Sequence, residues 1–482
     1  MILHSVWQKC FNFLPGKPVV VEPADEALSS DAGLLPIRQF DEAWGLTAEF
    51  AAVLKDPRSP GLIGHSFLEM TRSRIYGILA DYADQNDHDT LRSDPVFKLI
   101  AGRLPEDDDL ASQPTLSRFE NSIDVRSLLR LRDVLIDEFI ASFQEPPRRL
   151  TLDIDTFDDP THGNQQLTFF HGFYDQYQYL ARAITCADND LTVMLGLLHG
   201  SAHAALGADD DLEYLACRLR AVWPDVHLEL RGDSGFGTPS MYNVCERLGV
   251  QYTFGLGMNS VFKQRSEELL EFCVQRYAET GQPQRRFCDF WHRADSWPAQ
   301  RHVVIKVEVG PPGTNRRAVV TNRPGVLVLP GAAYDAYADR GESENRNKEL
   351  KAGLSADRLS DHRYMANLFR LYLHAAAYNL LVRVRHAVAD PPPEIVPADV
   401  PREALSPREK KRYFNRRRQR DPLGEGHPCT WQTNLIKVAA RVYQSARRVV
   451  VQLSGCWPHL DFYARVSDLA LSARNGLPPA PD

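Results

Sequence analysis

An α/β fold, with helices flanking a mixed sheet, is what this sequence predicts; an all-helical region stands ahead of the sheet and a β-rich insertion interrupts it. Three observations carry that expectation. Apolar residues recur at helical intervals up to Pro146 and Pro147, the period changes to alternation at Arg149, and strand-like and helix-like runs then follow one another to Gly255. Beyond them, Phe287 to Trp291, Arg301 to Val309 and Arg317 to Thr321 read as strands of a separate character. These shifts divide the chain into a helical region at 1–147, the first part of the sheet domain at 148–256, a β-rich insertion at 257–335, the completion of the sheet domain at 336–389, and a proline-rich linker with a basic C-terminal region at 390–482.

In the first region, prolines punctuate residues 1 to about 60, and a helix-like run covers Phe40 to Leu54. Phe67, Met70, Ile75, Ile78 and Leu79 then keep a helical spacing, and a further helix is expected near Leu91 to Ala101. Gln113-Pro-Thr-Leu-Ser-Arg enters a helix that runs through Val125 to Phe143. Arg72, Arg74, Arg92 and Arg118 on these short helices suit a helix-turn-helix-like DNA module, against the alternative of helices around a private core. At Arg149 the strand begins: Leu150, Leu152 and Ile154 share one face, Asp153 and Asp155 the other. Two like charges on one strand face repel unless a cation or a basic partner sits between them. A meander follows, then a helix from Asp211 to Val222, then a strand from Val226 to Leu230 that opens on Arg231-Gly-Asp233-Ser-Gly. An acid at such a strand end is fixed by the strand and left open to ligand by the turn, although Asp also caps turns for purely local reasons.

The third acidic position lies in Tyr337-Ala-Asp-Arg340-Gly-Glu-Ser-Glu344-Asn-Arg-Asn-Lys-Glu-Leu-Lys351. On a helix, Tyr337, Arg340, Glu344 and Lys351 fall on one polar stripe. Tyr364 to Val388 is expected to be a long apolar helix packed on the sheet. Asp390 to Pro401 is a stiff proline-rich linker, and from Arg408 to Arg420 eight basic residues crowd around Tyr413 and Phe414, as a phosphate-binding patch or a solvated segment. Trp431 to Leu453 reads as a basic amphipathic helix followed by Val449-Val-Val-Gln-Leu.

The formal net charge of the 482 residues is −7, which weighs little against a DNA partner because a mean hides local patches and acidic metal ligands add negative charge themselves. The eight cysteines keep no metal or disulfide spacing. No signal peptide or membrane-length apolar run is seen, so a soluble, cytoplasmic protein is expected. If the first and fourth strands of the sheet lie adjacent, Asp155, Asp233 and Glu344 converge. Three carboxylates at one point require compensation, which hard cations such as Mg²⁺ supply while leaving positions for phosphate oxygens and water. Two such ions would serve an in-line phosphoryl displacement.

The spacing Tyr337-x2-Arg340-x3-Glu344-x6-Lys351, with Leu152-Asp-Ile-Asp155 and Asp159-Pro-Thr-His-Gly-Asn-Gln, Arg231-Gly-Asp233-Ser-Gly-Phe, and the N-terminal Gly64-His-Ser, Asn86-Asp-His and Gln113-Pro-Thr-Leu-Ser-Arg segments, resembles the bacterial insertion-sequence transposases of the DDE class with the Tyr-Arg-Glu-Lys signature. The resemblance covers about residues 60 to 455. It implies a ribonuclease H-like catalytic domain, in which Asp155, Asp233 and Glu344 hold two Mg²⁺ ions, with Mn²⁺ as a substitute, and Tyr337, Arg340 and Lys351 contact phosphates of the transposon end. Asp153 is then kept near the site without binding metal, although either Asp153 or Asp155 can be the first ligand. Trp297 in the insertion is the candidate for stacking on a flipped base, with a core tryptophan as the alternative. Asn347 departs from the apolar residue expected there, which touches helix packing. The implied function is phosphodiester hydrolysis at transposon ends followed by joining of the 3′-hydroxyl to target DNA, by a homodimer on DNA. The alternatives are a metal-dependent nuclease of the same fold, an inactive DNA-binding relative, and a protein with incidental carboxylates.

Overall fold

The computed structural model describes residues 8–13, 17–23, 26–323, 329–389 and 427–475. The N-terminal region is not all helical. Strands β1 (Lys9–Phe11) and β2 (Val19–Val21) pair antiparallel, and β3 (Leu28–Ser29) joins a C-terminal hairpin. The β-branched run Val19-Val-Val between Pro18 and Pro23 is too short and too stiff for a helix. The helix expected over Phe40–Leu54 is two, Leu34–Trp44 and Leu46–Ala52, because Gly45 takes a left-handed conformation at φ +81° between them. Helix Phe67–Leu79 starts where the Ser66 hydroxyl accepts the Glu69 N–H. The run from Gln113 is likewise split into Gln113–Asn121 and Val125–Ala141, the second capped by Asp124.

A nine-stranded mixed sheet follows: β4 (Arg149–Pro160), β5 (Phe169–His171), β6 (Gln176–Cys186), β7 (Thr192–Leu198), β8 (His227–Gly232), β9 (Gln251–Leu256), β10 (Gln284–His292), β11 (Arg301–Gly310) and β12 (Gly313–Thr321). Its order is β10-β11-β12-β9-β8-β4-β6-β5, with β7 also on β6. β4, β8 and β9 run parallel, joined through helices Ala208–Val222 and Pro239–Leu248; the other pairs are antiparallel. The three strands of the expected insertion do not form a sheet of their own. β12 pairs with β9, covering an edge that would otherwise leave N–H and C=O groups unpaired.

Helix Tyr364–Val388 spans the range read from the sequence and packs against β7 and against helices Phe67–Leu79 and Val125–Ala141. The core is therefore continuous from the N-terminal helices through the sheet. Two of the arginines considered for DNA contact are built into that core. Arg74 is 1 % exposed and Arg72 donates to Thr47 Oγ1 at 3.3 Å, whereas Arg92 and Arg118 stay at the surface.

The basic helix expected after Trp431 is a hairpin instead. A short turn of helix, Pro428–Trp431, leads to β13 (Ala440–Ser445) and β14 (Arg448–Leu453), and β13 pairs with β3. Alternation decides it: Val438, Ala440 and Val442 are buried while Arg441 and Tyr443 face outward. Lys437 pairs with Asp31 at 2.8 Å, and Gly33 lies so close to Leu435 that a Cβ there would sit 1.8 Å from its carbonyl oxygen. Helix Leu460–Asn475 then packs on Leu34–Trp44.

The junction between the N-terminal helices and the rest rests on a buried charge cluster. Glu120 is wholly buried and accepts from Arg74 Nε at 2.8 Å, Arg370 Nε at 2.5 Å and Gln85 Nε2. Removing one member of such a cluster strands the others without a counter-charge. Glu120→Ala is expected to lower unfolding stability by about 3–5 kcal/mol, measured by denaturant titration; a change under about 1 kcal/mol would show the cluster to be dispensable.

Candidate active site

β4 and β8 run side by side in parallel, with Asp153 opposite Arg231 and Ile154 opposite Gly232. The next residues, Asp155 and Asp233, therefore come side by side, Asp233 just past the end of β8 and Asp155 within β4, where the β8 pairing has ended and the β6 pairing continues. Asp153 and Asp155 share a face, but their environments differ. Asp153 is 2 % exposed and bound at both oxygens by Arg231, at 2.6 and 2.7 Å. Burial pushes its carboxyl up, and the Arg231 guanidinium pulls against that shift. The third donor direction of Arg231 reaches the Ala336 carbonyl at 2.7 Å, at the end of helix Pro330–Ala338. With both oxygens committed, Asp153 is a support for the strands, and Asp155 is the carboxylate left at the opening.

Asp233 accepts the Gly235 N–H at 2.8 Å, the local turn cap that its sequence context allows, and this engages one oxygen only. Arg340 lies between Asp155 and Glu344, 3.2 Å from Asp155 Oδ2 and 3.5 Å from Glu344 Oε1. Burial pushes the Asp155 carboxyl up to about 6; Arg340 and the Thr156 N–H oppose it, and the charges of Asp233 and Glu344 add to it. The three acids thus act on one another electrostatically. Glu344 is the outermost, with its side chain 55 % exposed.

The stripe read as a single helix is broken. Tyr337 lies in the last turn of helix Pro330–Ala338, Arg340 caps Gly341–Lys348, and Lys351 lies in a π-turn at Glu349–Gly353. The extra residue in the π-turn moves Lys351 out of the Glu344 stripe. It pairs instead with Asp158 further along β4, at 2.6 Å. Burial opposes ionisation of Asp158, but Lys351 outweighs it and holds the carboxyl below its ordinary range. Tyr337 is largely buried, which raises its phenol pKa, and its Oη stands 2.7 Å from where a Cβ on Gly255 would be, beside the Asp233 turn. Arg340 and Glu344 thus stay together as the spacing implied, while Tyr337 and Lys351 flank them, one against Gly255 of β9 and the other on Asp158 of β4. Asn347 is buried, with its Oδ1 lacking a hydrogen bond.

Trp297 corrects an expectation. It is 6 % exposed and packed edge-on against Tyr242 and His292, under the Arg301 guanidinium, so its faces are not presented to a ligand. The linker Asp390–Pro401 and the basic patch from Arg408 to Arg420 lie outside the described residues. Sequence reasoning passed over Arg231, Asp158 and Gly255. Arg231 stands inside a motif already singled out; Asp158 lies on the same strand as Asp155 but three residues on, a spacing that alternation does not place on the same face, and Gly255, a backbone position under Tyr337, left no signal.

All three acids are hard oxygen donors of the type that suits Mg²⁺. Among the described residues, no group of three or more His, Cys, Asp or Glu is gathered tightly enough to hold an ion. The donor chemistry fits a divalent cation, and the place between Asp155 and Glu344 is filled by the Arg340 guanidinium.

Beside the site, Asp159 is wholly buried and neither oxygen has a hydrogen bond of normal geometry. Burial pushes it up to about 8, against the nearby Leu359 N–H and with the charges of Asp357 and Asp158. It is therefore protonated in the fold at neutral pH and ionised in the unfolded chain. The stability it contributes is complete below about pH 4 and is lost as pH rises through about 8. Asp159→Asn is expected to flatten the fall in melting temperature between those limits, most visibly on the alkaline side. An unchanged slope would show that Asp159 is ionised in the fold.

A family model described as Transposase DDE domain group 1 matches residues 11–393. A search of curated proteins gave no match. Among solved structures, this chain is similar to a chain of the cryo-EM structure of the piggyBac transposase synaptic complex with hairpin DNA, at 14% identity and a TM-score of 0.39, covering 84% of each chain. By the family match, which takes in most of its length, the chain belongs to the DDE transposases of group 1.

Proposed function

We propose that this protein is a DNA transposase of the insertion-sequence type, with a ribonuclease H-like catalytic core completed by the helix bearing Glu344, and with the N-terminal helices and basic C-terminal region as DNA-binding parts. The reaction is hydrolysis of a phosphodiester at each transposon end, freeing a 3′-hydroxyl, and attack of that hydroxyl on target DNA. The observation that carries the reading is the nearness of three acids from separate elements: Asp155 within β4, Asp233 just past the adjacent parallel strand β8, and Glu344 bridged to Asp155 by Arg340.

In this reading Asp155, Asp233 and Glu344 hold two Mg²⁺ ions, which when bound activate the attacking oxygen and offset charge on the leaving one. Asp155 binds as the carboxylate, so the raised pKa given by burial favours occupancy above about pH 6. Arg340 exchanges its carboxylate contacts for a DNA phosphate, to which a guanidinium offers a planar two-donor edge. Lys351, held by Asp158, and Tyr337, at the Asp233 turn, fix further phosphates on either side. Because two ends are processed together, the working form is a homodimer on DNA.

The test uses a duplex carrying the inverted repeats that flank the coding region, incubated with Mg²⁺ or Mn²⁺. Wild type is expected to cut at the repeat boundary and to join the product to target DNA. Glu344→Gln is expected to slow cutting by on the order of 10²–10³-fold, the loss that follows removal of one transition-state stabilising group, while still binding the duplex. Cutting without joining would make the protein a nuclease of this family, and equal cutting by the variant would remove Glu344 from the site.

A further inference from the structure

The hairpin of β5 and β6 carries an exposed aromatic surface. Phe169, Phe170, Phe173, Tyr174 and Tyr177 fall within nine residues and each is more than a third exposed, Phe173 reaching 84%. Their rings form two groups, and Phe169 stands against His199 at 5.7 Å. Phe170 meets Tyr177 at 5.7 Å, and Tyr174 meets both His171 and Phe173 at 5.0 Å. Exposed aromatic surface concentrated on one hairpin in this way marks a place where something binds.

The hairpin is held in place. The Gly200 N–H donates to the Leu167 carbonyl at 3.2 Å, and a Cβ at Gly200 would stand 2.0 Å from the Gln178 oxygen and 2.4 Å from that of Phe169. Leu167 itself enters the hairpin at φ +65°, a conformation that a bulky side chain keeps only where its surroundings impose it.

Its position narrows the occupant. Gln176, at the foot of β6, donates to Asp158 Oδ2 at 3.0 Å, and the other oxygen of that carboxylate binds Lys351. Burial raises the Tyr174 phenol pKa, and the charges of Asp158, Asp155 and Asp233 raise it further, so this ring lies within their field. Whatever covers the rings sits beside the acids that would handle a phosphodiester. A nucleic-acid strand meets both demands, with its phosphates at the acids and its bases at the rings. Within a duplex the base faces are already covered by their neighbours, so only unpaired bases can use the aromatic faces.

We propose that the Phe169–Tyr177 hairpin is a stacking platform for unpaired bases of the DNA end engaged at Asp155, Asp233 and Glu344. The platform holds the end open, leaving the scissile phosphate exposed beside Asp155 and Asp233. The inference rests on the transposase reading for the identity of its DNA, and its test is separable from that reading.

Full-length protein is titrated with a fully paired duplex end and with the same end made unpaired by mismatches, one splayed base being 2-aminopurine. Wild type is expected to bind the splayed end about tenfold or more tightly than the paired one, with the fluorescence of the stacked 2-aminopurine quenched. Phe173→Ala/Tyr174→Ala should bring the two affinities together and abolish the quench while leaving paired-duplex binding unchanged. Tyr174→Phe, which keeps the ring face, should retain the preference. No preference in wild type overturns the proposal, as does equal loss on both probes in the double variant. A change in oligomeric state by size exclusion, with the preference intact, would instead assign the rings to contact between copies. If wild type shows the preference and the double variant loses it, yet wild type never cuts DNA, the platform stands and the transposase reading falls.

Discussion

The bidentate pair between Asp153 and Arg231 is the contact on which the site depends. It is buried, it joins β4 to β8, and through the Ala336 carbonyl it also holds the helix that ends in Tyr337. A buried ion pair adds little stability compared with a well-packed apolar substitute, so its retention is better understood as specification. Here it fixes the register of two parallel strands. A slip of one residue would turn Asp155 and Asp233 to opposite faces and separate the acids.

Charge at the site is arranged in two tiers. The inner acid, Asp153, is permanently paired and stays out of any exchange. The outer acids are compensated by groups that can be displaced: Arg340 rests between Asp155 and Glu344, and Lys351 rests on Asp158. In the proposed reading these same cations pass to DNA phosphates, for which their donors are suited, so partners are exchanged and no new charge is created. The raised pKa of Asp155 follows from this arrangement, since one guanidinium does not fully offset burial and two neighbouring carboxylates.

The N-terminal helices belong to this architecture as much as the sheet does. Glu120 draws together Arg74 from the N-terminal region and Arg370 from helix Tyr364–Val388, whose other face packs on β7. A movement of the N-terminal helices would therefore be felt along the helix that backs the sheet. At the opposite end of the chain, β13 and Lys437 close the fold on residues 28–34.

Much of this was legible before any coordinates. The switch of period at Arg149 located β4 and both of its acids, the strand-to-turn pattern located Asp233, and the range of helix Tyr364–Val388 followed from its apolar length. Strict alternation and helical spacing report local burial, and these elements bury most of their residues. Elsewhere local pattern was outweighed. The charges between Trp431 and Val449 suggested a helix, yet pairing with β3, hundreds of residues away, made that stretch a hairpin. The insertion was recognised as strands, but that β12 would pair with β9 and extend the main sheet depends on a tertiary contact. The sequence by itself determined which residues are acidic, which strands carry them and how Arg340 and Glu344 are spaced. Tertiary structure alone decided that Asp153 is spent on Arg231, that Lys351 meets Asp158, that Trp297 lies in the core and that the hairpin rings stand exposed, because each depends on what a distant segment brings alongside.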